Sequence, residues 1–277
     1  MRWGTDVSRR GVLLGGTAAL VAACSGRSAP VGAPAPLTPS AGSSALTQPV
    51  TIQRRHSAAR GRDVDLVLIA PEGVPASGLP VCLALHGRGA NARSFLDLGV
   101  PQMLTDLVRG GARPFAVAAV DGDHYWIENG AGDDPQRLLT DEVPGWLQTS
   151  NLRPVTGVLG ISMGGFGALD LARRRRDLTA VATCSAALFR TWSEAKARGV
   201  FASEAQWQAA EPLAHLDELP PGTLGVWCGA SDPFLAANRR LIDRAGPVTS
   251  SITPGAHTDS YWRSVLPDAL RFVGERL

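Results

Sequence analysis

The chain reads as an α/β domain, a mostly parallel sheet with helices on both faces, running from Pro49 to the C-terminus. Three observations predict this. Short apolar runs of strand length alternate with helix-forming stretches. Several runs, such as Val81 to Leu85 and Phe115 to Val120, are apolar throughout, as strands buried on both faces are. A glycine-rich strand, sharp turn and helix sits in the middle, at Val158-Leu159-Gly160-Ile161-Ser162-Met163-Gly164-Gly165-Phe166-Gly167.

The 277 residues suffice for one such domain plus an extra segment, and the extra segment lies at the front. Ser8-Arg9-Arg10-Gly11-Val12-Leu13-Leu14 places a twin arginine before an apolar stretch that ends at Ala23. This resembles a bacterial twin-arginine export signal, and the stretch is short for a membrane span. Val21-Ala22-Ala23-Cys24 resembles a lipoprotein cleavage box, which implies lipidation at Cys24 and a location at the outer face of the membrane. The alternative is an ordinary signal cleaved nearby and a secreted product. Ser25 to Gln48 is rich in Pro, Ala, Ser, Gly and Thr, cannot bury a core, and reads as a flexible tether. The expected divisions are thus 1–24, 25–48 and 49–277.

Within the domain, Val50 to Arg54 and Val64 to Ile69 read as an antiparallel edge hairpin, because Val64, Leu66 and Leu68 alternate with polar positions. Val81 to Leu85 is a buried strand, followed by the loop His86-Gly87-Arg88-Gly89. Pro101 opens a helix to Val108. Phe115 to Val120 is the next strand. Gln136 to Gln148 is helical in composition and should bend or restart at Pro144. After the Ser162 unit, Ala180 to Cys184 is a strand. Phe189 to Leu219 carries Trp192, Phe201 and Trp207 without strand pattern, and reads as a short cap between the sixth and seventh strands. Gly225 to Cys228 and Pro247 to Thr253 complete the sheet, and a terminal helix carries Trp262, Val265, Leu266, Leu270 and Phe272.

A net charge of +2 points to no nucleic-acid partner. The run Arg173 to Arg176 sits at a helix C-terminus, where cations meet the negative end of the dipole. Cys82, Cys184 and Cys228 fall in apolar runs, and their odd number argues for buried free thiols. No metal-ligand spacing appears, so neither metal nor cofactor is expected.

G-x-S-x-G at such a turn exposes a serine at the sheet edge. Serine is a poor nucleophile without an adjacent base, normally a histidine oriented by a carboxylate. On this elbow the acid and then the base follow the serine in chain order. Of the five histidines only His215 and His257 follow Ser162, and only His257 lies just past the last strand. Asp232, directly after an apolar strand, is the candidate acid; capping the next helix is its alternative role. The oxyanion donors expected are the amide of Met163, next to the nucleophile, and that of Arg88, with Gly87 the alternative. His86 is then a structural residue of its loop. Asn91, Arg93, Asp121, His124, Tyr125, Trp126 and Trp192 are candidate pocket residues.

Four stretches, in order, carry a resemblance: Leu138 to Leu147, Gly160 to Leu169, Trp227-Cys228-Gly229, and Gly255-Ala256-His257-Thr258-Asp259-Ser260-Tyr261-Trp262. They resemble the putative-esterase family, which includes esterase D-type and feruloyl-esterase-like enzymes and the secreted mycobacterial mycolyltransferase antigens. The resemblance covers the domain from Pro49 onward. It implies an α/β-hydrolase fold, a Ser162–Asp232–His257 triad, and Arg88 and Met163 amides as oxyanion donors. The mycolyltransferases use Glu where this chain has Asp232, and have a longer insertion before the histidine. The expected activity is therefore hydrolysis of a small-molecule, lipid or carbohydrate ester, with acyl transfer to a hydroxyl or non-catalytic binding as the alternatives.

Overall fold

The computed structural model describes residues 49–277. The expected export signal, Cys24 and tether lie outside the described residues. The eight strands are β1 (Val50–Ser57), β2 (Arg62–Ile69), β3 (Val81–Leu85), β4 (Ala116–Val120), β5 (Val155–Ile161), β6 (Ala180–Cys184), β7 (Leu224–Gly229) and β8 (Thr249–Thr253). They form one sheet in the order β1-β2-β4-β3-β5-β6-β7-β8. β1 and β2 pair antiparallel, as do β2 and β4; every other pair is parallel.

The helices are α1 (Ser94–Asp97), α2 (Val100–Arg109), α3 (Pro135–Arg137), α4 (Val143–Thr149), α5 (Met163–Arg174), α6 (Trp192–Lys196), α7 (Glu204–Ala210), α8 (Leu235–Ala245) and α9 (Asp259–Gly274). A π-helical stretch, Leu138–Glu142, precedes α4, and the helix restarts with Pro144 in its first turn, where a missing N–H costs nothing.

The pleat sorts each central strand between two cores. Leu83 and Leu85 of β3, with Ala118 and Val120 of β4, face Val143, Phe166, Leu169 and Leu241 from α4, α5 and α8. Cys82 and Ala84 face the other way, onto Phe95, Leu104, Val265, Leu266 and Leu270 from α1, α2 and α9. Burial on both sides is why these strands read as unbroken apolar runs.

The antiparallel hairpin stands at the sheet edge as expected, but its second strand does not alternate between core and solvent. β1 is the edge, whereas β2 lies inside the sheet against β4, and Val64 to Ile69 are all buried. The polar member of the apparent alternation, Asp65, is buried too, and its carboxylate accepts from Arg54 (3.2 Å) and Arg93 (2.8 Å). Burial works to raise the Asp65 pKa, but these two guanidiniums hold it below the usual carboxylate value. The arginine run at the end of α5 is locally neutralised: Arg173 meets Asp170 (3.2 Å) and Glu218 (2.8 Å), and Arg175 meets Asp177 (2.7 Å). Cys82, Cys184 and Cys228 are free and buried. Residues 185–223, with α6 and α7, form the cap between β6 and β7.

Candidate active site

Ser162 follows β5 and precedes α5 with φ 55° and ψ −116°, a strained conformation for a residue with a side chain. The glycines around it make the turn possible. A Cβ on Gly160 would overlap the Gly164 carbonyl oxygen, and one on Gly164 would overlap that of Leu85. The turn is braced on both sides: the Ser162 N–H donates to the Cys184 carbonyl (2.9 Å), and the Ser162 carbonyl accepts from Ala187 (3.0 Å).

His257 and Asp232 arrive on neighbouring loops that are laced together. The Ala230 N–H donates to Thr253 O and the Ser231 N–H to Gly255 O, both at 2.8 Å. Thr258 then caps α9, accepting from the Tyr261 N–H (3.4 Å), so the histidine loop is held at both ends. As a result His257 Nε2 lies 2.8 Å from Ser162 Oγ, and His257 Nδ1 lies 2.9 Å from Asp232 Oδ2. The second carboxylate oxygen of Asp232 accepts the Phe234 N–H at 2.8 Å. That is a turn around the aspartate itself, not a cap: α8 begins after Phe234, with no side-chain capping bond.

The Asp232 side chain is fully buried. Burial pushes its pKa up, but the contacts from His257 and the Phe234 amide outweigh this and hold the carboxyl below its usual value. The Ser185 hydroxyl adds in the same direction from beside the carboxylate, although outside good hydrogen-bond geometry. The His257 ring is itself flanked by Phe234 (centroids 5.3 Å apart) and Trp262 (5.1 Å, edge to face).

The loop after β3 reaches Ser162 from the opposite side. A Cβ on Gly87 would sit 3.4 Å from that of Ser162. His86 is structural, as its sequence position suggests. Its Nε2 accepts the Gly122 N–H (2.9 Å), which fixes the proton on Nδ1, and Nδ1–H donates to Gly87 O (2.8 Å). Burial lowers the His86 pKa, which keeps this neutral tautomer in place. Met163 is the first residue of α5, so its N–H has no intrahelical acceptor.

Ser162 and His257 open into a cavity of about 530 Å³, lined also by Gly87, Arg88, Leu98, Tyr125, Arg198, Phe234 and Trp262. A second hollow of about 340 Å³ adjoins it through Arg88, Gly89 and Tyr125 and includes Met163 and His124. A larger cavity, between α2 and the end of α9, touches none of these residues.

Of the expected pocket residues, Tyr125 lines the cavity and His124 the adjoining hollow. The others have different tasks. The Asn91 side chain accepts the Arg93 N–H (2.9 Å) in a local turn, and the Arg93 side chain pairs with Asp65. Asp121 accepts the N–H groups of Asp65 and Ala92, both at 2.9 Å. Trp126 is fully buried, with its indole N–H on His86 O (3.3 Å). Trp192 packs against Trp207 in the cap, ring centroids 6.2 Å apart. Arg198, Phe234 and Trp262 escaped sequence reasoning as pocket residues. Phe234 stands two residues after Asp232 and Trp262 five after His257, a proximity that could have marked them; nothing local marks Arg198.

A serine, histidine and aspartate thus stand in one hydrogen-bonded chain at the carboxyl ends of parallel strands on an α/β-hydrolase fold. The chain belongs to the Putative esterase family, whose model matches residues 57–273. Solved structures with a similar fold include a ferulic acid esterase (21% identity, TM-score 0.64, covering 82% of this chain and 97% of that one). An S-formylglutathione hydrolase from Staphylococcus aureus is similar too (19%, 0.65, 81% and 98%). So is MPT51 of Mycobacterium tuberculosis (20%, 0.65, 83% and 100%). No curated protein matches the chain in sequence.

Proposed function

We propose that the protein is a serine esterase that hydrolyses carboxylic esters through an acyl-enzyme on Ser162. The observation that carries this reading is the Asp232–His257–Ser162 chain, with bonds of 2.9 and 2.8 Å, opening into the 530 Å³ cavity. His257 Nε2 takes the proton from Ser162 Oγ as Oγ bonds to the ester carbonyl carbon. Asp232 holds the Nδ1–H and stabilises the imidazolium that forms. The carbonyl oxygen becomes an oxyanion that accepts from the Met163 amide and from that of Arg88, or Gly87. The tetrahedral intermediate collapses, the bond to the alcohol oxygen breaks, and His257 returns the proton to that oxygen. Water then attacks the acyl-enzyme by the same route, releasing the acid and restoring Ser162.

Ser162→Ala tests this: turnover of 4-nitrophenyl esters and labelling by a fluorophosphonate probe should both vanish. A variant that retained near wild-type turnover would sink the reading. We further propose that the enzyme is exported, on the strength of the twin-arginine and Cys24 sequence pattern. Mass spectrometry of the mature N-terminus checks it, a diacylglyceryl group on Cys24 being the expected result.

A further inference from the structure

We infer that the natural substrate is an ester carrying a carboxylate near its scissile bond, bound by Arg198 of the cap and Arg88 of the β3 loop. This rests on the esterase reading and names the substrate class of the same site. Arg198 follows α6 in the cap. Its guanidinium lies 4.9 Å from the Phe234 ring centroid and 5.8 Å from that of Phe189. Phe234 is the same ring that flanks His257. Stacking on aromatic faces fixes a guanidinium but leaves the in-plane N–H fork unspent, and that fork matches the two oxygens of a carboxylate.

Among the described residues no carboxylate pairs with Arg198 or Arg88, in contrast to Arg54, Arg93, Arg173, Arg175 and Arg190. Both line the cavity that holds Ser162. Tyr125 lines the same cavity; burial raises its pKa, and the Arg198 and Arg88 guanidiniums pull against that rise. Its backbone is in the left-handed region at φ 56°, as are those of His124 and Trp126. Three such residues in succession are costly, and the turn holds Tyr125 facing the cavity beside the two arginines.

Two acids also line the cavity, Asp97 of α1 and Asp259 of α9. Arg263 is close to both, 4.0 Å from Asp259 and donating to the Asp97 carbonyl (3.2 Å). The cavity thus carries both signs, its acids from α1 and α9 and its unpaired cations from the β3 loop and the cap.

The test compares matched chromogenic esters. Mono-4-nitrophenyl glutarate is set against its methyl ester, which places the charge on the acyl side. 3-Carboxy-4-nitrophenyl acetate is set against its methyl ester, which places it on the leaving-group side. Rates are taken per fluorophosphonate-titrated site, so that misfolded protein does not count. In wild type, kcat/KM for the anionic ester should exceed that for its neutral partner by at least about tenfold in one of the two pairs, the size of one charge-assisted hydrogen bond. The preference should shrink with ionic strength, collapse in Arg198→Gln and in Arg88→Gln, and survive in large part in Arg198→Lys. Equal rates within about twofold in both pairs, or a preference untouched by either glutamine variant, would overturn the inference while leaving the esterase reading standing. Absence of both labelling and turnover with all four esters would instead remove the esterase reading, and this inference with it.

Discussion

The cap is braced internally by a buried carboxylate, and this predicts an unusual direction of pH dependence. Glu211 is 2% exposed. Its Oε2 accepts the Phe189 N–H (3.1 Å) and the Trp207 indole N–H (3.0 Å), and its Oε1 accepts the Leu213 N–H (3.3 Å). Burial pushes the Glu211 pKa up to about 7, against the downward pull of those three donors. An acid whose pKa is raised on folding binds its proton more tightly in the folded state. Its contribution to stability is complete below the unfolded value of 4.5 and is lost as pH rises to about 7. The difference of roughly 2.5 units corresponds to about 3 kcal/mol. For a domain of this size that is a fall in Tm of about 6–12 °C. Chemical and thermal unfolding at several pH values between 5 and 8, in wild type and in Glu211→Gln, measures it. The glutamine cannot ionise, and its amide group faces a donor it cannot accept from, so the variant is weakened but loses this slope. Other groups titrate in the same window; neutral His86, for one, works the other way. The quantity to read is therefore the difference between the two proteins. Parallel stability profiles for wild type and Glu211→Gln would refute the assignment.

Four further outcomes follow from the geometry. Asp232→Asn should lower kcat by about 10⁴ with little change in fold, because an amide no longer holds the His257 tautomer; steady-state kinetics and circular dichroism together read this. Gly164→Ala should fail to give soluble, labelled enzyme, since its methyl group has no space against the Leu85 carbonyl; normal expression and labelling would mean that the turn accepts a side chain there. His86→Ala leaves the Gly122 N–H without its acceptor, and denaturant unfolding should register a loss of about 1–3 kcal/mol. Gly167→Ala places a methyl 2.5 Å from the buried Trp126 ring and should lower Tm while shifting the tryptophan fluorescence.

Ser162 and Asp232 were legible because each follows an apolar run that reads as an inner strand, whereas His257 follows the polar edge strand β8 and was marked by its place just past the last strand. Parallel strands deliver their C-terminal loops to one edge, and chain order then removed His215 from contention. The direction in which a loop side chain points was not legible. Asp121 and Tyr125 both lie just past β4, yet Asp121 turns to the amides of Asp65 and Ala92 while Tyr125 faces the cavity. What separates them is the left-handed turn at His124 to Trp126, adopted by three residues that carry no glycine signal. Arg198 was invisible for a related reason. The cap has no periodicity to orient its side chains, and only its packing on Phe234 and Phe189 brings that guanidinium over the site. The β2 strand misled in the opposite way: Asp65 imitates a solvent-facing alternation, but two arginines and burial keep it inside.

The two strained turns, at Ser162 and at His124 to Trp126, lie on opposite sides of one seam. Conformations of this kind cost about 1–3 kcal/mol each and persist only where their surroundings over-determine them. Here the surroundings are shared. Trp126 hangs its indole N–H on His86 O, and His86 in turn takes the Gly122 N–H and grips Gly87, whose backbone packs against Ser162. The turn that aims Tyr125 and the loop that faces Ser162 are therefore one buried polar unit. A change at Trp126, which touches neither Ser162 nor the cavity, should reach both. In Trp126→Phe the ring volume is reduced and the indole donor lost, leaving the His86 carbonyl without that bond. Neutral-ester turnover per labelled site and the anionic preference should then fall together, whereas Arg198→Gln lowers the preference more than the neutral turnover. Separate responses of the two quantities in Trp126→Phe would show that the loops after β3 and β4 are braced independently.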